Sequence, residues 1–325
     1  MNLSIGKRRG LAQCSTRFGT FSILALDHRG NLRNALNPQD PQSVSYEAMT
    51  SFKQQVVAAL APYASAVLLD PEIGASQAVA ADALPGNIGL LSAVEATGYV
   101  GDPIGRISQV LPGWSVGKIR RMGASGVKLL VYYHPDADQA AQQESLVAEV
   151  GEACQRYDLP LFLEPLSYSL DPSRKGLPSA ERRQVVIETA RRLTPLGIDI
   201  LKAEFPVNVQ EEADPNVWLD ACLELNEASV VPWALLSAGV DFDDFLNQVE
   251  VVCRAGASGV LAGRAVWKEA AELTGEQRLH FLRTTGAERM ARLQALCDAL
   301  GHSWREVYPP GETSENWYQD YPDIP

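Results

Sequence analysis

Short, nearly unbroken apolar runs of five to eight residues recur along this chain, at about 21–27, 65–70, 87–92, 126–133, 160–164, 198–205, 232–237 and 258–263. Between them apolar residues return every three or four positions, near 46–60, 115–123, 140–157, 179–194, 215–227 and 241–255, with a last such stretch at about 276–299. The short runs predict strands and the periodic stretches predict helices. Runs this continuous suit parallel strands covered on both faces. Eight βα units in about 250 residues predict a closed (β/α)8 TIM barrel, with a doubly wound sheet as the alternative. No Gly/Ser or Pro repeat divides the chain, so residues 1–325 are expected to form one barrel domain. The Gly- and Pro-containing stretch 71–114 is expected to be an elaborated loop region at the barrel mouth. A tail, about 301–325, follows the last helix and is acidic and aromatic around Trp317-Tyr318-Gln319-Asp320-Tyr321.

Two of the predicted strands carry a lysine among apolar neighbours: Lys128 in Gly126-Val127-Lys128-Leu129-Leu130-Val131, and Lys202 in Ile198-Asp199-Ile200-Leu201-Lys202-Ala203. A buried ammonium is costly unless it is paired or loses its proton. A lysine made neutral beside another cation is the usual preparation for Schiff-base chemistry on a ketone. The plainer reading is a structural Lys–Glu pair. Alternation along strands puts Ile200, Lys202 and Glu204 on one face and Lys128, Leu130 and Tyr132 on one face. Carboxylates end other strands: Asp27, followed by His28-Arg29-Gly30; Asp70 and Glu72; and Glu164, before Pro165. Strand ends of this polarity belong at the C-terminal mouth, where barrel active sites are built. Alone, Asp70 and Glu72 could be solvated strand ends, Asp27 could cap the following turn, and Glu164 could be a loop residue before its proline. After the last two strands stand Ser237-Ala238-Gly239 and Gly263-Arg264. Small residues there let backbone N–H groups approach an anion, as in the usual barrel phosphate site, although ordinary tight turns use them too.

Composition narrows the partners. A formal charge of −12 and a pI of about 4.9 argue against nucleic acid and leave room for a small anionic substrate. Lys7-Arg8-Arg9 leads into no apolar stretch, so no signal peptide is expected, and no membrane span either. The five cysteines form no C-x-x-C, which suits reduced thiols in a cytoplasmic protein. The four histidines are widely spaced without H-E-x-x-H, so no metal is expected. There is no G-x-G-x-x-G after a strand and no G-x-S-x-G, so no dinucleotide or serine-hydrolase site is expected, and no cofactor is implied.

From about residue 18 to 305 the chain resembles the tagatose 1,6-bisphosphate aldolases, a branch of the class I Schiff-base aldolases. The motifs that carry the resemblance include Leu26-Asp27-His28-Arg29-Gly30, Asp70-Pro71-Glu72-Ile73-Gly74, Glu95-Ala96-Thr97-Gly98-Tyr99, Val127-Lys128, Leu163-Glu164, Leu201-Lys202, Leu236-Ser237-Ala238-Gly239 and Gly263-Arg264-Ala265. The resemblance implies a barrel that needs no metal. It puts Lys202 on the imine-forming lysine, Glu164 on the acid/base carboxylate, and Lys128 and Asp27 on supporting residues, with Lys128 favouring a neutral Lys202. Arg29, Ser237, Gly239, Gly263 and Arg264 fall near substrate phosphates, Arg264 on the 1-phosphate side. His28 stands where the family more often has glutamine, and it is expected with Arg29 beside the distal anion. Pro165 is shared with sulfosugar-phosphate aldolases. The implied reaction is cleavage of tagatose 1,6-bisphosphate to dihydroxyacetone phosphate and glyceraldehyde 3-phosphate. The alternatives are cleavage of sulfofructose 1-phosphate and a silent sugar-phosphate-sensing barrel. A homo-oligomer, a dimer first, is the expected assembly.

Overall fold

The computed structural model describes residues 3–174 and 176–323. Eight parallel strands close on themselves in sequence order: β1 (Phe21–Leu26), β2 (Ala66–Leu69), β3 (Gly89–Ala93), β4 (Gly126–Tyr132), β5 (Leu161–Leu166), β6 (Ile200–Ala203), β7 (Trp233–Leu236) and β8 (Gly259–Ala262). This is the (β/α)8 TIM barrel. Nearly every strand residue is buried, because helices cover the outer face and side chains fill the inside. Each long helix lies where the apolar periodicity predicts it, and local chemistry sets the ends. Ser45 accepts a hydrogen bond from the N–H of Ala48 to start Tyr46–Leu60. Asp214 caps Pro215–Ala228, whose first residue is a proline.

The sequence pattern passes over several short elements. Helix Ile5–Cys14 packs beneath the barrel, where Lys7 meets Asp199 at 2.8 Å just before β6. Tyr308 donates to the carbonyl of Asp199 on the same face. A buried ion pair at the N-terminal ends of the strands serves stability, far from the mouth. The stretch 71–114 is not one loop. It holds helix Ala75–Ala80, strand β3, and a short antiparallel hairpin pinned by bridges Glu95↔Val110 and Val100↔Ile107. Helix Trp304–Val307 opens the region expected as tail, and Trp304 and Tyr308 are buried. Residues 324 and 325 of that expected tail lie outside the described residues. The predicted last helix is broken into Gly275–Phe281 and Ala287–Leu300 by a π-helical turn, Leu282–Gly286. No helix among the described residues is long and apolar enough to cross a membrane.

Candidate active site

Strand register stacks the polar side chains in layers. Lys128 lies level with Ala93 on β3 and with Phe162 on β5, and Leu130 lies level with Glu164. Glu164 therefore stands one inward-facing layer above Lys128. On β6, Leu201 pairs with Leu163, which puts Lys202 in the layer of Glu164. Lys128 reaches that upper layer along its own aliphatic stem. The result is a shared carboxylate: Glu164 Oε2 is 2.8 Å from Lys202 Nζ and 2.9 Å from Lys128 Nζ. Lys128 also meets Asp27 Oδ2 and Glu95 Oε1, each at 2.6 Å.

Lys128 is fully buried and touches three carboxylates. Burial alone would lower its pKa, but Asp27, Glu164 and Glu95 outweigh burial and hold it well above the usual lysine value. It is a permanent cation. Burial would raise Glu164, yet the charges of Lys128 and Lys202 keep it below the usual carboxylate range. Asp27 follows the same logic and falls well below its usual value, with Lys128 and Lys202 overcoming burial. Both carboxyls are thus ionised at neutral pH. The positive field of Lys128 is met by three negative groups, so the group in position to take the Lys202 proton is Glu164 itself.

These side chains line a cavity of about 410 Å³ at the C-terminal ends of the strands, together with His28, Arg29, Ser237, Gly239, Gly263 and Arg264. The structure thus brings all of the sequence-expected site residues to one cavity, and divides them into two ends. At the β7/β8 end, Ala238 and Gly239 are both left-handed (φ 47° and 82°), which turns the chain sharply under Arg264. A Cβ on Gly239 would come within 2.9 Å of the Arg264 guanidinium carbon, so a side chain there would push the guanidinium aside as well as strain the left-handed turn. Arg264 meets the carbonyl of Ala238 at 3.3 Å and has no carboxylate within 4.0 Å among the described residues. Gly263 already donates its N–H to Ser237 Oγ at 3.0 Å, so that pair shapes the turn. At the other end, Arg29 is held by Glu72 Oε2 at 2.5 Å and by the carbonyl of Glu95 at 2.9 Å.

His28 does not join Arg29. Its ring stands edge-on to Trp267 with centroids 5.2 Å apart, and a Cβ on Gly263 would reach its Cε1 at 3.1 Å. The chain turns between positions 28 and 29, so the two side chains diverge toward opposite ends of the cavity. Asp70 is elsewhere again. It is fully buried, paired with Lys53, and accepts the N–H groups of Glu72 and Ile73. It is a structural turn, neither solvated nor part of the cavity. Sequence reasoning passed over Glu95 as a site residue, although Leu91, Ala93 and Glu95 alternate in phase with the inward face. Glu204 also lines the cavity, where it accepts the N–H of Ser167 at 2.7 Å and meets Arg182 at 3.1 Å. Among the described residues no group of three or more His, Cys, Asp and Glu side chains is arranged to hold a metal ion.

Comparison with known proteins adds a family. The profile of DeoC/LacD family aldolases matches residues 21–269. Tagatose 1,6-diphosphate aldolase 2 of Enterococcus faecalis is 33% identical, over 94% of this chain and 97% of its own length. Tagatose 1,6-diphosphate aldolase 2 of Streptococcus agalactiae is 35% identical, over 94% and 99%. Among solved structures, an archaeal fructose-1,6-bisphosphate aldolase, whose catalytic lysine is covalently bound to a carbinolamine intermediate, matches with a TM-score of 0.56 at 24% identity, over 87% of this chain and 98% of that one. The Plasmodium falciparum fructose-bisphosphate aldolase matches with a TM-score of 0.71 at 14% identity, over 93% and 97%. These two likenesses are of fold.

Proposed function

Because the chain belongs to the DeoC/LacD aldolase family, and is accordingly an aldolase, a carbon–carbon lyase, we propose that it cleaves tagatose 1,6-bisphosphate through a Schiff base on Lys202. The observation that carries this reading is the 2.8 Å contact between Lys202 Nζ and Glu164 Oε2 inside the cavity. A nucleophilic amine needs a base within hydrogen-bond reach, and Glu164 is an ionised one. Glu164 takes a proton from Lys202, whose neutral amine attacks the C2 ketone of the open-chain sugar. The protonated Glu164 returns its proton to the C2 oxygen, which leaves as water and gives the iminium. The iminium accepts the electron pair of the C3–C4 bond as Glu164, ionised again, takes the proton of the C4 hydroxyl. Glyceraldehyde 3-phosphate leaves, and Glu164 returns that proton to C3 of the enamine. Hydrolysis then frees dihydroxyacetone phosphate and Lys202. Lys128 holds Glu164 and Asp27 in place and offers its fixed charge to substrate hydroxyls.

The two ends of the cavity suit the two phosphates. Arg264, free of carboxylates, with the left-handed turn at Ala238–Gly239, suits the 1-phosphate. Arg29 lies toward the distal group. Tagatose 1,6-bisphosphate comes first because the relatives at 33% and 35% identity carry that substrate in their names. A phosphorylated sugar substrate supports a cytoplasmic location for the enzyme. The test is borohydride reduction in the presence of dihydroxyacetone phosphate, followed by peptide mapping. Irreversible inactivation with the label on Lys202 is expected. Label on Lys128 would overturn the assignment.

A further inference from the structure

We propose that His28 is a third arm of the 1-phosphate site and takes up a proton when the phosphate dianion binds there. The proposal rests on the placing of that phosphate at Arg264. Three features fix the ring. Trp267 holds it edge-on at 5.2 Å, and Trp267 is itself tied to the carbonyl of Ala25 by an indole N–H bond of 3.1 Å. Gly263 leaves room for it, since a Cβ there would lie 3.1 Å from Cε1. The ring therefore lines the cavity at the end where Arg264 stands.

The Nδ1 atom is buried without a hydrogen-bond partner, 4.0 Å from Asp27 Oδ1. Asp27 is already engaged through its other oxygen, Oδ2, by Lys128. A neutral imidazole has one donor nitrogen and one acceptor, whereas an imidazolium has two donors. Only the charged ring can satisfy Asp27 on one side and a phosphate oxygen on the other. The charged groups facing it are Asp27 just after β1, Arg264 after β8, Lys202 on β6 and Lys53 on helix Tyr46–Leu60. Burial, with three cations set against one carboxylate, pushes the pKa down to about 4, so the ring is neutral as the protein stands. A phosphate dianion reverses that sum. Two negative charges about 4 Å away, at an effective dielectric of about 20, are enough to carry the imidazole past neutrality. Substrate binding then supplies both the acceptor and the charge that the ring lacks.

Glycerol 1-phosphate is the probe, because it carries the phosphate and has no carbonyl with which to form an imine. The full chain is labelled with [13Cε1]histidine, and the four resonances are sorted with the conservative variant His28→Gln. At pH 7.5 the phosphomonoester is already a dianion. Saturating ligand should move the His28 resonance to the imidazolium position. Calorimetry in two buffers of different ionisation heat should show uptake of about one proton per site. In His28→Gln that uptake should vanish and binding should weaken about five- to ten-fold, the difference between a charge-assisted and a neutral hydrogen bond. Wild-type affinity should fall as pH rises through the bound-state pKa of His28, and the variant should lose that limb. A His28 that stays neutral at saturation, or equal proton uptake in the variant, overturns the proposal while leaving the phosphate site standing. Failure of the wild type to bind glycerol 1-phosphate any better than Arg264→Ala overturns the phosphate site and this proposal with it.

Discussion

Replacing Lys128 by methionine keeps the length and most of the volume of the side chain and deletes one charge. That charge touches Asp27 and Glu95 at 2.6 Å and Glu164 at 2.9 Å. The variant therefore leaves three inward carboxylates around an uncharged stem, with Lys202 beside Glu164 and Arg29, 4.0 Å from Glu95, to answer them. Breaking a buried pair by removing one partner costs about 3–5 kcal/mol, because the other charge stays buried. For a chain this long, about 2 °C of melting temperature accompanies each kcal/mol, so a loss of roughly 6–10 °C is expected near pH 7.5. The sign with pH follows from the groups involved. In the wild type the pKa values of Asp27 and Glu164 are depressed, so their stabilisation is complete above the usual carboxylate range and fades as pH falls through the folded values. Lys128, whose pKa is raised, contributes below its unfolded value and up to its higher folded one. In the variant the Lys128 contribution disappears and the carboxylate contribution shrinks to what Lys202 supplies, and protonating one carboxylate relieves the repulsion among the three. The deficit should therefore be largest at pH 7.5 and shrink toward pH 5. Calorimetric melting of both proteins at the two pH values checks this. A deficit that is absent, or that grows on acidification, would refute the reading of Lys128 as the fixed cation of the site.

Two further predictions concern catalysis and binding. Glu164→Gln keeps the shape but removes the proton carrier, so kcat should fall about 10²–10⁴-fold with a smaller change in KM; near wild-type kcat in steady-state assays would make Glu164 a structural partner of Lys128 only. Arg264→Ala should weaken every ketose 1-phosphate by about ten- to over a hundred-fold in kcat/KM. Arg29→Ala should act only on substrates with a distal anion and at the lower end of that range, since Glu72 already offsets Arg29; equal losses with and without the distal anion, across tagatose 1,6-bisphosphate, sulfofructose 1-phosphate and a ketose 1-phosphate, would contradict the division of the cavity.

The barrel was legible because its strands are covered on both faces. Near-continuous apolar runs mark them, and Gly, Pro or polar clusters separate them. The helices missed are four to ten residues long, too short to show a period: Ile5–Cys14, Gly30–Leu36, Ala75–Ala80, Arg264–Trp267 and Trp304–Val307. The π turn at Leu282–Gly286 leaves the apolar pattern of its helix nearly intact, and so passed unseen. In the site, Lys128 and Lys202 were legible because a charge inside an apolar run is out of place. Asp70 misled, because its partner Lys53 lies on a helix 17 residues earlier and its burial depends on that pairing.

What alternation along a strand cannot supply is the register between strands, and in this site register decides the chemistry. It sets Glu164 level with Lys202 and one layer above Lys128, so a single carboxylate oxygen serves both amines. With the opposite stagger Lys128 would face Glu164 alone, and Lys202 would have no base within reach. The same limit explains His28. Sequence adjacency binds it to Arg29, but the turn after β1 sends the ring toward Trp267 and Gly263 and the guanidinium toward Glu72. Neighbours in the chain thus face opposite ends of one cavity. A substitution at position 28 should register as a change in 1-phosphate binding, while discrimination among distal anions follows position 29.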